Sequence, residues 1–75
     1  MKTQIEQSVN PQHKNFNDIM AELNEAIEIL TACGTLKSAN KHLQNINFTQ
    51  LIWGRGANHI WVSFLNGNRI IIATE

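Results

Sequence analysis

Residues 48–74 read FTQLIWGRGANHIWVSFLNGNRIIIAT, and this stretch decides the fold. Three runs rich in β-branched and aromatic residues, Phe48–Trp53, Asn58–Leu65 and Asn68–Thr74, are separated by two turn signals. The first is Gly54-Arg55-Gly56-Ala57. The second is Asn66-Gly67, and Asn-Gly suits the left-handed central residues of a two-residue hairpin loop. Two successive tight turns dictate an antiparallel meander. The Asn-Gly turn sets a register with Leu65 opposite Asn68, Phe64 opposite Arg69 and Val62 opposite Ile71.

That register sorts the side chains. Ile60, Val62, Phe64, Ile71 and Ala73 share a nearly all-apolar face, which is assigned to the core. His59, Trp61, Ser63, Leu65, Ile70, Ile72 and Thr74 share the other. Two helices cover one face of a three-stranded sheet, so Trp61, Ile70 and Ile72 are expected to be exposed. An exposed apolar patch on a small protein usually marks a contact surface. The alternative is a one-residue slip, which reverses the faces and puts Trp61 in the core.

Working toward the N-terminus, Leu36, Ala39, Leu43 and Ile46 are spaced as one face of a short helix over 35–46. Thr35 or Ser38 is its candidate cap. Before it, Phe16, Ile19, Met20, Leu23, Ala26, Ile27 and Leu30 form a helical stripe of roughly 120°. Asn10-Pro11 reads as the start of this helix and Gly34 as a left-handed residue just past its end, giving a helix over 11–33. Residues 1–10 are polar and read as a loose arm. The expected architecture is α+β and a single domain, with two N-terminal helices packed on one face of a three-stranded antiparallel meander (ααβββ).

The chain has 75 residues, six Lys plus Arg and six Asp plus Glu. This length excludes separate cofactor and substrate domains. The zero net charge is a cancellation. The acids are Glu6, Asp18, Glu22, Glu25, Glu28 and Glu75, and none lies between Ile29 and Thr74. Helix 1 is therefore an acidic rod. The ordinary meaning of such a rod is a solvated face. The functional meaning is a surface of Asp18, Glu22, Glu25 and Glu28, with Ile29 among them, aimed at a basic partner such as a nucleic-acid-handling complex. Lys37, Lys41, Arg55 and Arg69 fall well short of the dense cation patches that drive nucleic-acid binding.

No metal-ligand spacing and no phosphate-cradling glycine loop is present, so no metal or other cofactor is expected. Cys33 is the one cysteine, so no internal disulfide forms, and a lone cysteine fits a reducing cytoplasm. No apolar leader opens the chain, and its longest apolar run is Ile70-Ile71-Ile72-Ala73, so no membrane association is expected. Glu22 and Glu25 read as surface charges, without a catalytic partner.

The stretch from 37 to 73 resembles the HicA family of small toxin ribonucleases, which have a double-stranded-RNA-binding-like fold. In that family a helix leads into a meander whose first turn reads Gly-Ser-His-x-x-aromatic. An Asp-Gly turn and a strand of the type Arg-Val-x-Val-Pro follow. Here the matching residues are Gly56-Ala57-Asn58-His59-Ile60-Trp61 and Asn66-Gly67-Asn68-Arg69-Ile70-Ile71-Ile72-Ala73. The family's catalytic histidine falls on Asn58, which is no general base. His59 is one residue later, on the opposite strand face. The family's closing proline is absent.

Two functions follow as expectations. The first is a small non-enzymatic binding protein that inhibits or modulates a larger macromolecular partner through Asp18, Glu22, Glu25, Glu28, Ile29, Trp61, Ile70 and Ile72. Small size and an isoleucine- and asparagine-rich composition suggest a phage or mobile-element anti-defence inhibitor. The alternative, implied by the resemblance, is a HicA-like RNA-binding or RNA-cleaving protein using Arg55, His59, Trp61 and Arg69. A homodimer through the spare sheet face is compatible with either.

Overall fold

The computed structural model describes residues 1–5, 10–64 and 69–75. The elements run β1 (Lys2–Ile5), α1 (Phe16–Ala32), α2 (Leu36–Leu43), β2 (Leu51–Arg55), β3 (His59–Phe64) and β4 (Arg69–Thr74). The strands form one antiparallel sheet in the order β1-β4-β3-β2. Among the described residues the fold is α+β, with two helices and a four-stranded sheet.

The fourth strand corrects the expected loose arm. Lys2, Thr3, Gln4 and Ile5 pair with Thr74, Ala73, Ile72 and Ile71. The segment is too polar to announce itself by hydropathy. What recruits it is the open edge of β4, whose N–H and C=O groups need partners once β4 is buried among core residues. The sheet therefore ends at β1 on one side and at β2 on the other.

The first helix begins at Phe16, five residues later than Asn10-Pro11 suggests. Short polar side chains hold the intervening residues in turns instead. The Gln12 N–H donates to Asn10 Oδ1 at 3.0 Å, and the Asn15 N–H donates to His13 Nδ1 at 3.1 Å. Such local bonds compete with helical ones. At the other end, Cys33 leaves the helix in extended conformation (φ −84°, ψ 132°), so no left-handed Gly34 is needed. For α2, Thr35 is the cap, its Oγ1 accepting from the Ser38 N–H at 3.2 Å. Past Leu43 the chain tightens through Asn45 N–H to His42 O and Ile46 N–H to Leu43 O, so the regular helix stops short of 46.

Both helices pack on one face of the sheet. The core joins Ile19, Leu23, Ala26 and Leu30 of α1, Ala39 and Leu43 of α2, Leu51, and Ile60, Val62, Ile70, Ile71 and Ala73 of the meander. Ile60, Val62, Ile71 and Ala73 thus face inward as their alternation requires, and the expected Val62–Ile71 pairing is present. One step further the register shifts, and Ser63 pairs with Arg69 instead of Phe64. One residue of β3 is matched by two of β4, which is a β-bulge at Ile70. The Asn66-Gly67 turn and the Leu65–Asn68 pairing lie outside the described residues.

The first hairpin is also displaced from the expected boundaries. Gly54 and Arg55 belong to β2, and the turn lies at 56–58, closed by the Gly56 N–H donating to His59 O at 2.9 Å. Residues 48–50 are not in the ladder.

Candidate functional site

Asp18, Glu22, Glu25 and Ile29 recur at intervals of four, three and four, so they share one edge of α1. That edge does not point straight away from the core. It borders the start of β2 and the flank of α2, and the structure gives its members different roles.

Glu22 is a clamp. Its carboxylate accepts from the Thr49 hydroxyl at 2.6 Å, the Thr49 N–H at 2.9 Å, the Gln50 N–H at 2.9 Å and the Leu51 N–H at 3.3 Å. These bonds hold the Thr49 and Gln50 amides, which lie outside the ladder, and fix the entry into β2. Desolvation pushes its pKa up, but the Thr49 hydroxyl and the Gln50, Thr49 and Leu51 N–H groups outweigh it and hold the pKa below that of an ordinary glutamate. Glu22 therefore leaves the expected partner surface, because its lone pairs are already committed within the fold. No feature of residues 49–51 in the sequence announces this contact, since it spans 27–29 residues.

Glu25, Glu28 and Ile29 do come together. With Ala32 and Cys33 they form one wall of a groove of about 510 Å³ between the helices, and Ser38, His42, Asn45 and Ile46 form the other. Ile29 is half-buried against the core. Ile29, Ala32, Cys33 and Ile46 give the groove an apolar lining, and Glu25 and Glu28 add two carboxylates to it. Asp18 is exposed in the first turn of α1 and is not among the groove's lining residues. An acid there complements the helix dipole.

The other sheet face carries Trp61, but not the whole expected patch. Trp61 pairs across the strands with Gly54 on one side and Ile72 on the other. Its indole covers Gly54, where an added Cβ would lie 2.5 Å from Cζ2. Trp61 and Ile72 are half-buried. Ile70 is fully buried, contrary to the expected exposure. The bulge is the reason, since it interrupts the alternation that assigned Ile70 to the outer face. The apolar group on this face that alternation within β3 and β4 overlooked is Ile52 of β2, opposite Ser63 and 40% exposed.

The residues of the RNA alternative are divided. Arg55 and His59 line a hollow of about 410 Å³ with Lys37 and Glu75 beside the β2–β3 turn. The Glu75 carboxylate accepts from the Leu36 N–H at 3.0 Å, at the N-terminus of α2. Arg69 pairs with Ser63, while His59 pairs with Thr74 at the far end of the same ladder. The backbones of Arg69 and His59 are therefore separated by roughly 13 Å along the strands. Trp61 lies on the outer face between these ends.

Among the described residues, no group of three His, Cys, Asp or Glu is placed to hold a metal ion. Cys33 is half-buried at the end of α1. Among the described residues, no helix is long and apolar enough to cross a membrane. No family model matches the chain, and neither a curated protein nor a solved structure matches it.

Proposed function

We propose that this chain is a small non-enzymatic binding protein that inhibits or modulates a larger macromolecular partner by seating a basic, partly apolar segment of it in the α1–α2 groove. The observation that carries the reading is the convergence of Glu25, Glu28 and Ile29 on one groove wall. Carboxylates in the lining select a cationic partner and speed encounter, while the apolar lining supplies burial. Asp18 extends the same charge along α1. An anti-defence protein of a mobile element would act in this way, by occupying a basic nucleic-acid-handling surface.

The test is capture from cells of the source organism with the native chain and with the Glu25→Lys/Glu28→Lys double variant. The expected result is one protein species bound by the native chain and lost with the variant, while both keep the same circular dichroism spectrum. Equal capture by both refutes the groove as the binding surface.

A second reading, the RNA-handling protein implied by the HicA resemblance, is supported by Arg55, His59 and Lys37 sharing one hollow. Labelled RNA titrated at low and high salt tests it. Salt-sensitive binding weakened by Arg55→Glu supports this reading, and absent or salt-insensitive binding without cleavage removes it.

A further inference from the structure

Beyond a groove for a foreign partner, we infer that the chain pairs with a second copy of itself through the free edge of β2, forming a continuous eight-stranded sheet about a two-fold axis at Trp53. β2 ends the sheet, and among the described residues only β3 pairs with it. An open hollow of about 280 Å³, lined by Ile46, Asn47, Phe48, Leu51, Ile52 and Trp53, flanks it.

Native proteins protect an open edge with charge, proline, a bulge or brevity. At the opposite edge β1 has four residues and carries Lys2. Leu51-Ile52-Trp53-Gly54 contains no charge and no proline; Arg55 stands at its end, and the Glu22 carboxylate covers the Leu51 N–H alone, leaving the outward groups of Trp53 to be met.

The hydrogen-bond phase of the hairpin fixes how a second β2 can join. The Gly56 N–H bonds to His59 O, so Gly56 and His59 form a hydrogen-bonded pair. Alternation then turns the N–H and C=O of Gly54 and Ile52 toward β3. It turns those of Leu51, Trp53 and Arg55 outward. The Leu51 N–H agrees, since it is taken by Glu22 from outside the ladder.

An antiparallel two-fold pairing centred on Trp53 sets Trp53 opposite Trp53, with both outward N–H groups donating across the axis. It sets the Arg55 N–H against the Leu51 carbonyl of the second copy. It also sets Ile52 opposite Gly54 of the second copy at a Cα separation of about 4.5 Å. That glycine is covered by its own Trp61 indole, so each exposed Ile52 comes to rest on the other copy's indole. The Leu51 N–H is already taken by Glu22, so the Arg55–Leu51 pair carries one main-chain hydrogen bond instead of two, with the Arg55 side chain on the same helix side as the negative charge of Glu22. Such an interface is isologous and closes on itself, leaving β1 as the sheet's outer edges. Its five-residue strands place it at the small end of stable interfaces, so association is concentration-dependent.

Sedimentation velocity from low micromolar to near-millimolar protein tests this, together with amide hydrogen exchange at both extremes. The expected result is a monomer–dimer equilibrium weakened about tenfold or more by Ile52→Lys and retained by Ile72→Lys, which alters the outer face away from β2. In the native chain, the Trp53 and Arg55 amides gain protection with concentration while Ile52 and Gly54 do not. A monomer throughout the range, or a dimer that survives Ile52→Lys, overturns the inference. So does a dimer lost in Ile72→Lys, which points to the sheet face. Unchanged Trp53 and Arg55 protection overturns it without any variant.

Discussion

Replacing Glu22 with alanine removes the acceptor of four donors, the Thr49 hydroxyl and the N–H groups of Thr49, Gln50 and Leu51. A hydrogen bond to a charged acceptor contributes about 1.5–3 kcal/mol where water is excluded. Thr49 is exposed and Glu22 only half-buried, so water replaces much of each bond. About 0.5 kcal/mol per donor is then appropriate, or about 2 kcal/mol in total. In a domain of this size that lowers the thermal midpoint by about 10 °C.

The pH dependence separates this clamp from a mere loss of packing. The folded-state pKa of Glu22 is depressed. Its contribution is therefore fully present above the unfolded-state value and is lost as pH falls through the folded-state value. Thermal and urea unfolding, followed by the fluorescence of Trp53 and Trp61, should show a large gap between native chain and Glu22→Ala at neutral pH. The gap should narrow as pH falls below the ordinary carboxylate range, where the Glu22 carboxylate takes up its proton. A gap under about 0.5 kcal/mol at neutral pH refutes the clamp. A gap that does not change with pH refutes its electrostatic origin.

Gly54→Ala places a methyl group 2.5 Å from Trp61 Cζ2, so the indole must swing away from β2. The expected loss is about 1–3 kcal/mol, with a red-shifted tryptophan emission, and an unaltered spectrum counts against the indole lying there. Deleting residues 1–5 removes the β1–β4 ladder and opens the edge of β4. Stability should fall by about 2–4 kcal/mol for the roughly four hydrogen bonds lost, and an unchanged urea midpoint would show that the segment behaves as a loose arm.

The expected binding surface changed most where distant segments meet. Glu22 and Glu25 are near neighbours on one helix edge, yet one is committed to residues 49–51 and the other lines an open groove. Nothing local distinguishes them. The difference arises from which segment folds over each position of α1. For the same reason Ile52 passed unnoticed as an outer-face residue, because its exposure depends on β2 being the terminal strand.

The sequence by itself determined what local periodicity and turn chemistry can determine. The 3.6-residue stripe of Ile19, Leu23, Ala26 and Leu30 specified α1, Thr35 or Ser38 marked the start of α2, and alternation put Ile60, Val62, Ile71 and Ala73 inside. These signals are carried by neighbours along the chain. Tertiary structure alone decided that Lys2–Ile5 is a strand, because its polar residues become one only by completing the edge of β4. It alone decided that Ile70 is buried, because a bulge breaks the period of two on which the assignment of faces relied.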